Sequence, residues 1–237
     1  MTHTDLKGRV ALVTGASRGI GYAMALHLAK AGAHIIATAR TQGGLEELDD
    51  AIRQAGGSCT LVPMDLMSAD GIESLAKIIE ERWTKLDILV ANAGALGTLT
   101  PAAQITPKDW NAVLGVNLVA PARMIAAFEP LLLASDAGRA VFISSGAVDS
   151  RRAYWGAYAA SKAGMDALVQ SWANEHANGS VRINILYPGQ LRTQMRAKAF
   201  PGEDPATLSH PEVLWPALAE LVDPACARHG EIIKFSG

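Results

Sequence analysis

The chain has 237 residues, 49% hydrophobic and 19% charged, a balance that suits a soluble globular protein and supplies enough apolar residues for one domain with a full core. A formal net charge of −2 gives no electrostatic footprint for nucleic acid or an anionic membrane surface. Cys59 and Cys226 are isolated and the six histidines never pair at i, i+4, so no disulfide framework or metal site is expected; reduced thiols in a cytoplasmic protein are the simplest account.

The opening Met1–Arg9 lacks the apolar stretch of a secretory leader. Val10–Thr14 reads as a first strand and runs into Thr14-Gly-Ala-Ser-Arg-Gly-Ile-Gly21, which opens a helix over 19–31. Glycines at 15, 19 and 21 permit a tight turn, close approach of backbone to a pyrophosphate, and close helix–strand packing; the helix start offers free N–H groups to phosphate. A purely structural turn is the alternative. The second strand, His34–Ala39, is followed by Arg40 where an NAD-binding fold carries an Asp or Glu for the ribose hydroxyls. Arg40 and Arg18 instead suit a 2′-phosphate, favouring NADP(H) over NAD(H), unless both are merely solvated.

A helix over 43–56, a third strand Cys59–Met64 ending at Asp65, a helix over 70–84 and a fourth strand Leu86–Ala91 follow. Asp65 is placed to accept from an adenine amino group and Asn92-Ala-Gly94 to underlie the adenosine ribose, or each is a turn residue only. The segment 107–133 reads as two helices or one kinked helix, and Glu129 and Pro130 argue against its spanning a membrane. A fifth strand (Ala140–Ser144), a helix over 155–177, a sixth strand (Ile183–Tyr187), a helix over 211–221 and a seventh strand (Ile232–Phe235) complete the order, with no long C-terminal arm beyond. Continuous apolar strands alternating with helices predict an α/β fold: a Rossmann-type, doubly wound parallel sheet in a single domain over 1–237, binding ligands at the carboxyl ends of its strands.

Tyr158-Ala-Ala-Ser-Lys162 places a phenol and an ammonium one helical turn apart on one face, thirteen residues after Ser145. A tyrosine alone is a poor acid or base at neutral pH; a fixed cation beside it brings the phenol toward working pH. A packed aromatic with a solvated lysine is the alternative for the pattern in isolation.

In company with the glycine turn at 14–21, Asp65, Asn92-Ala-Gly94, Asn117, Ile143-Ser-Ser145 and Pro188-Gly189, the chain resembles the short-chain dehydrogenase/reductase family from about Leu6 onward. The resemblance implies a seven-stranded sheet of order 3-2-1-4-5-6-7 flanked by helices on both faces. It also implies a catalytic tetrad of Asn117, Ser145, Tyr158 and Lys162, with Asn117 holding a water that links Lys162 to solvent and Ser144 as a structural partner. Its implied nucleotide contacts are Gly15, Ser17, Arg18, Gly19, Ile20, Gly21, Arg40, Asp65, Leu66, Asn92, Ala93, Gly94, Tyr158, Lys162, Pro188, Gly189 and Thr193, the last beside the nicotinamide carboxamide. A substrate lid is expected over about 190–205, as a mobile loop and not a continuous helix because of Pro201-Gly202 and Pro205. The implied activity is hydride transfer between the nicotinamide and a small-molecule carbonyl or secondary alcohol, without a metal, in a homotetramer or homodimer. A 3-oxoacyl thioester reductase, a non-catalytic NADP-binding regulator and a redox-neutral lyase or epimerase are the alternatives. Arg151, Arg152, Arg192 and Arg196 are candidates to grip an anionic substrate group, or are surface charges; Trp155 and Tyr187 are candidates to wall an apolar pocket.

Overall fold

Strands such as Val10-Ala-Leu-Val-Thr14 have no polar face to present to water, so the sheet they form must be covered on both sides. The computed structural model describes residues 4–235; Met1–His3, part of the segment read for a leader, and Ser236–Gly237 lie outside them. Strands β1 (Val10–Thr14), β2 (His34–Ala39), β3 (Ser58–Pro63), β4 (Ile88–Ala91), β5 (Arg139–Ile143), β6 (Arg182–Tyr187) and β7 (Ile232–Lys234) pair in the order β3-β2-β1-β4-β5-β6-β7. Every pairing is parallel, as the alternating pattern predicts.

The two-residue period of a strand divides the core. Ala11 and Val13 of β1 face one layer, with Met24 and Leu28 of α1 (Gly19–Lys30), Leu48 of α2 (Gln42–Gln54) and Leu218 of α9 (Trp215–Val222). Val10 and Leu12 face the other, with Ile79 of α3 (Gly71–Trp83), Phe128 of α5 (Ala120–Leu133) and Trp172 of α7 (Gly156–Glu175). At the amino ends of the strands, the fully buried Asp87 accepts from the Val10 N–H at 2.9 Å, Lys85 Nζ at 2.9 Å, Ser135 Oγ at 2.6 Å and Arg9 at 3.0 Å. Burial opposes ionisation of this carboxyl, but its four donors outweigh that cost and hold it below the usual range.

The segment 107–133 is one helical run: α4 (Pro107–Leu114), a π turn at Gly115–Val119, then α5. It is long and apolar enough to cross a membrane, yet it packs against α3 and α7 and buries Val113, Met124 and Phe128 there. Thr106 starts it, its hydroxyl accepting from the Asp109 N–H at 3.1 Å. Two short helices do not register in the hydrophobic pattern, α6 (Ala147–Ser150) and α8 (Gln194–Ala199). The helix expected over 211–221 begins as a 3₁₀ turn, Pro211–Leu214, before α9.

The β1–α1 turn is packed to contact. Gly15 has φ +67°, in the left-handed region, and a Cβ there would lie 2.9 Å from Ala93 Cα. Gly21 has an ordinary φ, but a Cβ would collide with the Gly15 carbonyl oxygen and approach Asn92 Nδ2 to 2.5 Å. Gly21→Ala is therefore expected to cost about 1–3 kcal/mol by overpacking, measured by denaturant unfolding; a variant as stable as the parent would show that this contact relaxes freely.

Candidate active site

At the switch point of the sheet, where crossovers from β1 and β4 leave in opposite directions, a crevice must open at the carboxyl ends of the strands. Its floor is tied shut. Thr14 Oγ1 accepts from the Asn92 and Ala93 N–H groups, both at 3.0 Å, while Asn92 Nδ2 donates to the Thr14 carbonyl at 2.9 Å. Asn92 thus serves the turn, one of the two roles its sequence position allows, and its partner is the Thr14 hydroxyl, whose signal is a threonine ending an otherwise apolar strand.

Above this floor lies a cleft of about 770 Å³. The glycine turn lines it with Gly15, Ser17, Arg18, Gly19 and Ile20; Arg40 follows β2, and Asp65 and Leu66 follow β3. Asn92, Ala93 and Gly94 line its middle, and Ser145, Tyr158, Lys162, Pro188, Gly189 and Thr193 its far end. Two expected contacts are placed differently. Gly21 sits beneath the turn as packing, because its Cα is pressed between Gly15 and Asn92. Asn117 is fully buried in the π turn, where its amide donates to the Ala95 carbonyl and Ser161 Oγ and accepts from the Ala95 N–H. The side chain is spent on holding that loop and does not line the cleft.

Among the described residues Asp65 is the only acid lining the cleft, against Arg18, Arg40, Lys162, Arg196 and Lys198. Asp65 Oδ1 also accepts from the Met67 N–H at 3.0 Å, shaping the turn after β3. Arg40 is exposed at the rim. Arg18 reaches across the opening to Gln194 Oε1 of α8 at 2.8 Å. At this end Arg18 and Arg40 outnumber the one carboxylate, Asp65, which suits an anionic ligand.

At the far end, α7 carries Tyr158 and Lys162 inward, both buried. Lys162 Nζ donates to the Ile143 carbonyl at 2.7 Å, and burial draws the ammonium down to about 8, with Asp166 opposing. Ser145 Oγ accepts from the Ala147 N–H at 3.1 Å and faces the Tyr158 phenol. The expectation that the lysine pulls the phenol toward neutrality does not hold for the protein alone. Burial raises the Tyr158 pKa above the usual range and the Ser145 hydroxyl only partly offsets it, so the phenol keeps its proton at neutral pH.

The segment over 190–205 is not one continuous helix, as its prolines predict, but it carries a short one. Thr193 caps a formed helix, its hydroxyl accepting from the Arg196 N–H at 3.1 Å, and α8 stops where Phe200-Pro201 ends it. Arg196 donates to both Glu203 oxygens (2.6 and 2.5 Å), lies 3.8 Å from the Phe200 ring and reaches Gln190. It lines the cleft already neutralised, whereas Arg151, Arg152 and Arg192 do not line it. Trp155 does, meeting Tyr158 edge-on and Phe200 at 5.7 Å each. Tyr187 is no wall: it is 4% exposed and its phenol donates to Asp166 Oδ2 at 2.5 Å. Leu96, Met195 and Ala199 complete the apolar end, and no sequence signal distinguished them from ordinary packing residues.

Residues 9–204 match the family model described as short chain dehydrogenase. The chain is 39% identical over 214 residues to the uncharacterized oxidoreductase YciK of Escherichia coli K12, covering 89% of this chain and 84% of that one. It is 34% identical over 206 residues to the 3-oxoacyl-[acyl-carrier-protein] reductase FabG of Vibrio harveyi, covering 87% and 83%. A short chain dehydrogenase of Shigella flexneri 2a, solved in complex with NADP, superimposes with a TM-score of 0.93 at 36% identity over 98% of this chain and 99% of that one. With its parallel sheet, glycine turn and Tyr158–Lys162 helix all in the family's arrangement, the chain belongs to the short-chain dehydrogenase/reductase family of oxidoreductases.

Proposed function

We propose that this protein is an NADP(H)-dependent oxidoreductase acting on an uncharged, largely apolar carbonyl compound or the corresponding secondary alcohol. The observation that carries this is the far end of the cleft: a protonated, buried phenol beside the Ser145 hydroxyl, one helical turn from a buried lysine. The cleft fits a dinucleotide phosphate by its own chemistry. The glycine turn leaves backbone room at the α1 start, Arg18 and Arg40 stand at the adenosine end without a competing acid at the end of β2, and the one acid, Asp65, follows β3. The Shigella relative's complex with NADP supports the same choice.

The nicotinamide, when bound, supplies or takes the hydride. Gly15–Ile20 would hold the diphosphate, Arg18 and Arg40 the 2′-phosphate, and Pro188, Gly189 and Thr193 the nicotinamide side. In the reductive direction Tyr158 gives its phenolic proton to the carbonyl oxygen as charge grows there, and Ser145 donates a hydrogen bond to the same oxygen. Lys162 would stabilise the phenolate left behind and bond the ribose. Asn117 acts by fixing the π turn and the Ala95 loop, and a water on that turn would return the proton through Lys162.

The substrate end is walled by Leu96, Trp155, Met195 and Ala199, and its lid arginine is already paired with Glu203. That favours an apolar carbonyl over a free carboxylate. Likeness to the Vibrio reductase favours a second reading, an acyl thioester, whose uncharged chain would suit the same wall. A cytoplasmic homodimer or homotetramer is part of the proposal, and exposed Val119 and Leu133 on α5 and its preceding turn are apolar surface for such a contact.

Turnover of a carbonyl panel followed by NADPH absorbance tests the reading. Tyr158→Phe is expected to lower kcat by about 10²–10⁴ with NADPH binding nearly intact; unchanged turnover would remove the acid–base assignment. Arg40→Asp is expected to move the NADP/NAD ratio of kcat/KM toward NAD by about tenfold or more. A ratio that stays put means the 2′-phosphate is held elsewhere.

A further inference from the structure

A second ionisable group lies one helical turn beyond Lys162 on the same face of α7. Asp166 is 4% exposed and does not line the cleft. The Tyr187 phenol of β6 donates to its Oδ2 at 2.5 Å, but its Oδ1 has no hydrogen-bond partner. Ser144 Oγ, at the end of β5, lies beside this pair, near enough to draw the carboxyl down, but makes no well-formed hydrogen bond. Asp149 of α6 adds negative charge nearby. Lys234 of β7 sits over the Tyr187 ring at 5.5 Å, but its amine is engaged by Asp149 at 2.7 Å.

Among the described residues, the cation left to balance Asp166 is thus Lys162, whose own polar contacts are one carbonyl and, at 3.9 Å, the Met165 sulfur. A buried carboxyl with one oxygen short of a well-formed hydrogen bond costs stability that an apolar side chain would spare. A buried ammonium on one carbonyl is equally expensive alone. Each ion offsets the cost of the other.

We propose that Asp166 is the buried counter-charge of Lys162, a positioning residue that acts on the Tyr158 proton relay through the lysine and is itself oriented by Tyr187. This rests on the oxidoreductase reading for its consequence, but not for its test. Burial, with Asp149 nearby, holds the Asp166 carboxyl above its usual range, and Ser144, Tyr187 and Lys162 offset that only in part. Removing the negative charge destabilises the charged amine, so the lysine gives up its proton at lower pH.

The test is the Lys162 titration in intact protein labelled at lysine Nζ, with Lys162→Met assigning the signal. Asp166→Asn is expected to lower the midpoint by about one pH unit or more, and Asp166→Glu to keep it near the parent value. An unchanged midpoint in Asp166→Asn overturns the proposal. If that variant does not fold, aspartate Cγ resonances of the parent protein decide: every aspartate ionised at pH 7 supports the counter-charge, and a protonated one overturns it. None of these readouts needs turnover, so failure to reduce any carbonyl would count against the activity alone. Where turnover is found, the alkaline limb of kcat/KM should move to lower pH in Asp166→Asn, whereas a merely structural lesion would lower the rate without moving it.

Discussion

The arrangement depends on one clip, the bonds between Thr14 and Asn92 across the carboxyl ends of β1 and β4. A doubly wound sheet parts at its switch point because successive crossovers leave toward opposite faces. The Thr14 hydroxyl and the Asn92 amide satisfy the backbone groups exposed by that parting. They also set the distance between the glycine turn and the loop after β4. With Gly15 and Gly21 pressed against the same residues, the floor admits no extra methyl group. The base of the cleft is therefore closely packed and fully bonded.

Charge then divides that cleft. The end between the glycine turn and β2 is cationic and open, with Arg18 and Arg40 on exposed positions. At the other end Tyr158 and Lys162 are buried, and there burial governs proton affinity: up for Tyr158, down for Lys162. Both shifts favour the neutral form of each group, as desolvation requires. A ligand that brought charge into this end would act on both groups at once. The buried Asp166–Tyr187 pair extends the same low-dielectric region away from the cleft.

Legibility followed physical locality. The Tyr158–Lys162 pair was readable because four residues make one helical turn whatever surrounds them. The β1–α1 turn was readable because only glycines allow that backbone to be so crowded. Helix α8 was not, since it has six residues and is held by the Thr193 cap and the Arg196–Glu203 pair more than by an apolar stripe. Tyr187 was misread as a pocket wall because alternation tells which face of β6 a side chain takes, not what lies behind that face. Asn117 falls within the helical segment read over 107–133, but the π turn that buries its amide has no sequence period of its own.

The chain's own order of residues determined the parallel sheet, the two-sided core, the glycine turn and the one-turn spacing of phenol and amine, because each follows from short-range periodicity and steric need. Only the tertiary structure decided which charges are free and which are spent. Arg196 and Glu203, Tyr187 and Asp166, and Thr14 and Asn92 are brought together by chain folding across gaps that no local pattern spans. Proton affinity belongs to that second group as well, since it depends on how much water a residue loses when its neighbours close over it.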